Sequence, residues 1–156
     1  MRIHLIAVGN RMPEWVNTAY GEFAGRLPPE SRLHLLEIAP GRRGKGADLA
    51  RAIAEEGERM LVALPKNAYV IALDVEGKGW STATLAQQFA AWQQAGRDVA
   101  LLVGGPDGLA EDCRARADIK WSLSPLTLPH RLVRIVVAEQ LYRAWTMLQG
   151  HPYHRA

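Results

Sequence analysis

Five times along this chain a short apolar run gives way to a segment whose apolar residues return every three or four positions. An unbroken apolar run or a period of two marks a strand, and a period near 3.6 marks a helix. Repeated in that order, they predict an α/β fold, a mostly parallel sheet with helices on both faces. The first strand is expected over 2–8, closed by Gly9 and Asn10. Pro13 then opens a helix with Trp15, Ala19, Tyr20, Phe23 and Leu27 on one face, stopped by Pro28 and Pro29. Leu33, Leu35, Glu37 and Ile38 indicate the second strand, and a basic glycine loop follows over 40–46. Leu49, Ile53, Met60, Leu61 and Leu64 form the stripe of the second helix. The third strand is expected over 69–73, ending at Asp74, and Ser81 or Thr82 caps a helix bearing Leu85, Phe89 and Trp92. A buried strand over 99–103, a short helix over 109–115, a strand over 119–123 and a long helix over 132–149 complete the pattern. Gly150 stops that helix, and a six-residue tail follows. No repeat, linker or low-complexity tract interrupts the chain, so a single domain over 1–156 is expected.

In open parallel sheets, ligands bind beyond the carboxyl ends of the strands. Three strand ends stand out: 73–77, 104–108 and 122–129. They are expected side by side on one rim. Gly104 and Gly105 allow backbone to approach a ligand closely, and serve equally well in a simple tight turn. Residues 123–128 are apolar with two hydroxyls and a proline, suited to wrapping an adenine ring or merely to joining strand to helix. The glycines match neither Gly-x-Gly-x-x-Gly nor a P-loop, which argues against a nucleoside triphosphatase or an ordinary dinucleotide enzyme.

With 156 residues the chain can bury a substantial core. Cys113 is the only cysteine, which excludes an internal disulfide. No apolar run approaches membrane-spanning length, and the first eight residues are too interrupted for a signal peptide, so a cytoplasmic protein is expected. Net charge is +3, and 15 of the 19 basic residues are Arg. Guanidinium groups bind phosphate through two bonds and stack on bases, although a GC-rich genome produces the same bias.

Four segments in order carry a family resemblance: LLVGGPDG at 101–108, WSLSPLTLPH at 121–130, AEQLYRAW at 138–145 and HPYHR at 151–155. Together they resemble the RlmH family, the large-subunit ribosomal RNA pseudouridine N3-methyltransferases of the SPOUT class. The likeness extends from the IAVG of 6–9 to Arg155 and includes 43–45. It implies a trefoil knot in which the C-terminal helix threads a loop. It implies S-adenosylmethionine bound by Leu73, Gly104, Gly105, Leu123, Ser124, Pro125, Leu126, Thr127 and Leu128. It implies methylation of a pseudouridine in helix 69 of 23S rRNA on assembled ribosomes. It also places the Tyr153, His154 and Arg155 tail at the site, reaching across a dimer, and no metal is called for.

The sulfonium methyl is already activated, so alignment with the attacking nitrogen is the main demand. Pseudouridine N3 carries a proton at neutral pH, which calls for a base or for a cation stabilising the developing anion. His154 and His130 are candidate bases, His130 being equally suited to capping or packing. Arg155 is too basic to accept a proton and suits anion stabilisation and orientation of the base. Arg42, Arg43 and Lys45 form a flexible basic loop suited to phosphate. His4, His34 and Cys113 are expected to be structural, Asp74 to contact ribose or cap a turn, and Trp80 to be the exposed tryptophan. The last helix is apolar on more than one face, which points to burial between the sheet and a second copy of the chain. Two other functions fit less of this pattern: a knotted methyltransferase acting on transfer RNA, and a non-enzymatic RNA-binding assembly factor without affinity for S-adenosylmethionine.

Overall fold

A computed structural model describes residues 1–155; Ala156, counted in the expected domain, lies outside the described residues. The elements alternate as the periodicities require: β1 (Ile3–Val8), α1 (Glu14–Ala24), β2 (Leu33–Ile38), α2 (Leu49–Ala63), β3 (Tyr69–Gly79), α3 (Thr82–Ala95), β4 (Val99–Val103), α4 (Glu111–Arg116), β5 (Ile119–Ser122) and α5 (His130–Leu148). All pairings in the five-stranded sheet are parallel, and the strand order is β2-β1-β4-β3-β5. The carboxyl ends of β4, β3 and β5 are therefore neighbours, as expected for the three unusual strand ends.

Alternation along each strand divides the core in two. Ile3, Leu5 and Ala7 of β1 join Leu101, Phe89 and Leu141 on the face covered by α1, α3 and α5. Ile6 and Val8 join Leu102, Met60 and Cys113 on the face covered by α2 and α4. Both faces are buried, which is why the strands read as nearly unbroken apolar runs. Ser81 is the residue that caps α3, accepting the Thr84 N–H at 3.0 Å, and Gly96 ends that helix in a left-handed turn.

Several boundaries differ from expectation. β3 does not end at Asp74 but continues to Gly79, with a register shift that sets both Leu73 and Lys78 opposite Trp121. A Cβ at Gly77 would run into the β5 backbone at Lys120 and Trp121, so glycine lets this bulge lie flat against its neighbour. α5 starts two residues early because Pro129 occupies its N-cap, where a missing N–H costs nothing. α4 is shifted toward Arg116, and β5 stops at Ser122. Trp15 and Leu49 fall on solvent-facing sides of their helices and are exposed. Trp80, expected to be exposed, stacks instead on Trp121 with centroids 4.9 Å apart.

Candidate active site

Beyond the carboxyl ends of β3, β4 and β5 lies a cavity of about 570 Å³, within the range of small-molecule sites. Each strand end shapes its wall by a different local device. After β4, residues 105–108 fold into a turn closed by the Gly108 N–H donating to the Gly105 carbonyl at 3.1 Å. A Cβ at Gly104 would strike the backbone of Gly108 and Leu109, so this glycine is required by the turn itself. After Leu73, the bulge brings Asp74 and Val75 into the wall. Asp74 accepts the Glu76 N–H at 3.0 Å and the Arg114 Nε–H at 3.1 Å, so it caps its turn and anchors α4. After β5, the Ser122 hydroxyl donates to the Ser124 carbonyl, and the Leu126 N–H donates to the Ser124 hydroxyl at 2.9 Å. These bonds fix the loop from within and leave its apolar side chains toward the cavity.

Of the residues expected at a cofactor, Leu73, Gly104, Gly105, Leu123, Ser124, Leu126, Thr127 and Leu128 line this cavity, together with His130. Pro125 is exposed and does not line it. Val103, Leu109, Arg114, Trp121 and Val133 also line it. Val103, Arg114, Trp121 and Val133 escaped sequence reasoning because they lie inside elements, where periodicity reads as core, and Leu109, expected to open the short helix, lies in the loop before α4. Only Arg114, a charge within a short helix, offered a signal. Trp121 is buried, and its indole Nε1–H has no partner among the described residues.

His130 opens α5 at the cavity edge. Burial first, then the charges of Arg131, Arg134 and Arg43, push its pKa below the ordinary 6.5, so the ring is neutral at neutral pH. One turn further, Arg134 is fully buried, donating to Glu37 at 2.8 Å and to the Gly9 carbonyl at 3.2 Å. That pair ties α5 to the ends of β1 and β2.

The basic loop is not uniformly flexible. Arg42 and Lys45 are exposed, but Arg43 is folded inward. Its guanidinium pairs with the buried Glu56 of α2, and its Nε–H donates to Asp107 at 2.9 Å. The Gly41 N–H donates to the same Glu56 carboxylate at 2.8 Å, and a Cβ at Gly41 would collide with the Ala52 backbone. The charge of Arg43 is thus met by two carboxylates within the chain, which sets it apart from Arg42 and Lys45 in the same loop.

None of Tyr153, His154 and Arg155 lines the cavity of its own chain. Tyr153 instead packs at 4.7 Å against Tyr142, receives Arg143 on its ring face, and donates its hydroxyl to Glu139 at 3.2 Å. The His154 Nδ1 is buried without a partner among the described residues. Elsewhere, His4 pairs with Asp98 and stacks with His34. Cys113 packs under α2, its thiol pushed up to about 11 chiefly by burial, which makes it a poor nucleophile. Among the described residues no group of three or more His, Cys, Asp or Glu side chains is placed to hold a metal ion. No described helix is long and apolar enough to cross a membrane.

A parallel α/β sheet with its cavity walled by three strand ends and the start of the last helix agrees with a match over residues 1–154 to the family described as "Predicted SPOUT methyltransferase". The chain belongs to the SPOUT methyltransferase family. Within it, the chain is 63% identical over 155 residues to the ribosomal RNA large subunit methyltransferase H of Thioalkalivibrio sulfidiphilus, covering 99% of both chains. It is 62% identical to the protein of the same name from Alkalilimnicola ehrlichii over the full length of both. The corresponding Methylococcus capsulatus protein is 59% identical over 99% of this chain and all of its own. A solved structure described as a probable methylase family protein from Haemophilus influenzae superposes with a TM-score of 0.55 at 13% identity, covering 99% of this chain and 70% of that one. At that identity the likeness concerns the fold.

Proposed function

We propose that this protein methylates N3 of a pseudouridine in helix 69 of 23S rRNA, using S-adenosylmethionine and acting as a cytoplasmic homodimer on assembled ribosomes. The observation that carries the reading is the cavity itself, whose walls suit the cofactor in size and chemistry. Leu109, Leu126, Leu128 and Val133 offer apolar surface to an adenine ring, and loop 123–128 offers main-chain groups to its edge. The bound cofactor would supply a methyl group already activated on sulfonium. The protein's own work is then to hold, align and exclude water.

The other half of the chemistry is the N3 proton. Arg155 is assigned to orienting the base and stabilising the charge that develops on it, His154 to accepting the proton directly or through water, and Tyr153 to holding the tail in place on α5. His130, neutral and at the cavity edge, is the alternative acceptor. Because the tail lies on its own α5, away from its own cavity, it is assigned to the cavity of the partner subunit. Apolar surface still exposed on Trp15 of α1 and on Leu132 and Leu148 of α5 supports such a dimer. Arg42 and Lys45 are assigned to rRNA phosphates. The return of α5 from the edge strand β5 to pack on α1 and α3 supports passage of the C-terminal segment through the family's knot.

Calorimetry with S-adenosylmethionine tests the carrying observation. Wild-type protein should bind it, and Leu126→Asp, at an exposed loop position, should bind at least tenfold more weakly while melting as wild type does. Equal affinity in a folded Leu126→Asp protein would remove the cavity from the account.

A further inference from the structure

We infer that Arg43, Glu56 and Asp107 form a latch that positions the cofactor turn and joins it to the basic loop, so that Arg43 acts on cofactor binding and not on RNA. The inference rests on the reading of the cavity as the S-adenosylmethionine site.

Three observations carry it. Within residues 104–108, Gly104, Gly105, Pro106 and Gly108 line the cavity, whereas Asp107 does not. Asp107 faces away and holds the Arg43 Nε–H at 2.9 Å. The same guanidinium engages Glu56 through both terminal nitrogens. Glu56 is only 2% exposed, and the Gly41 N–H is its other polar partner. One planar cation thus bridges a carboxylate fixed in α2 and a carboxylate on the side of the turn that faces away from the cavity. Lysine, a point charge, could not span both. Gly105 also faces this cluster, since a Cβ there would lie 3.0 Å from Val8 and 3.7 Å from Glu56. Among the described residues the turn therefore has apolar backing from β1 and one ionic tether, through Asp107.

Arg42 and Lys45 flank this tether in the loop, so phosphate binding there and cofactor binding at the turn share one connection. By linkage, whatever the cofactor does to loop affinity the RNA must do to cofactor affinity. Arg43→Ala alone would leave Glu56 buried and unpaired, so the test uses Asp107→Ala together with the paired variant Arg43→Met/Glu56→Gln. The glutamine keeps an acceptor for the Gly41 N–H.

The measurement is S-adenosylmethionine affinity by calorimetry on the full-length protein, with methyl-transfer kinetics on ribosomes. Asp107→Ala should weaken cofactor binding about tenfold and raise the KM for the cofactor by the same factor. Turnover at saturating cofactor should stay within twofold, and Asp107→Glu should restore most of the affinity. In the Arg43→Met/Glu56→Gln background, Asp107→Ala should have no further effect. Wild-type affinity in Asp107→Ala, or a full additional loss in that background, overturns the latch. Wild-type protein that binds no S-adenosylmethionine overturns the reading of the cavity, and the latch with it.

Discussion

His130 shows how a single side chain reports its surroundings. It lines the cavity and lies close to the guanidinium of Arg134, and burial with three neighbouring arginines holds it below 6.5. The unfolded chain therefore takes up a proton before the folded one as pH falls. His130 thus contributes no cost well above pH 6.5, costs stability as pH falls through 6.5, and costs no more once the folded-state ring is protonated too. Protonation in the folded state would also add a cation to a cavity proposed for a sulfonium. S-adenosylmethionine affinity should be level above pH 6.5 and fall at lower pH, and His130→Gln should flatten that fall. An acid limb unchanged in His130→Gln would assign the titration to another group. Gly104 teaches a different lesson, since its missing side chain serves the backbone of Gly108, not a ligand. Its substitution would disturb the turn whatever the cavity binds, which makes it a poor probe of the cofactor.

The loop over 40–46 is the element where charge alone misleads. Arg42, Arg43 and Lys45 carry equal formal charges, but only two of them face solvent. Arg42→Ala/Lys45→Ala should weaken ribosome binding and reduce its log–log salt slope by roughly 1.5 units, from about 0.7–0.9 per phosphate contact. Adding Arg43→Met with Glu56→Gln should leave the slope where it is. A further reduction of about one unit would return Arg43 to the RNA footprint. The same contrast explains what the sequence made legible. Strand–helix alternation and the shared rim follow from local periodicity, which five parallel strands obey at close range. The continuation of β3 past Leu73 was hidden because it depends on Gly77 meeting the β5 backbone, a contact 43 or more residues away. Asp107 and Glu56 reach Arg43 across 64 and 13 residues, and no spacing rule announces such a bridge. Trp15 and Trp80 exchanged their expected exposures because a tryptophan's place is decided by its neighbours, here Trp121 for Trp80.

At the scale of the whole molecule, the tail and the cavity stand apart in one chain, and the proposed reaction needs them together. Deleting 153–156 should abolish methyl transfer and leave cofactor affinity intact. Tyr153 packs on Tyr142 and Arg143, so the deletion should also lower Tm by about 3–6 °C, the effect of roughly 1–2 kcal/mol in a chain of this size. Arg155→Ala alone should slow turnover by about 10²–10³-fold, the usual cost of one anion-stabilising donor. Heterodimers of a tail-deleted subunit with a Leu126→Asp subunit should recover activity, because one sound cavity then meets one sound tail. No recovery would place the tail in its own subunit's cavity. The central claim, methylation of pseudouridine N3 in large-subunit rRNA, is tested most directly on ribosomes from a strain lacking the gene. They are incubated with the purified protein and methyl-labelled S-adenosylmethionine, and their nucleosides are then resolved by mass spectrometry. The account predicts one labelled 3-methylpseudouridine per large-subunit rRNA and none without the protein; unlabelled rRNA, or label found only in transfer RNA, would contradict it.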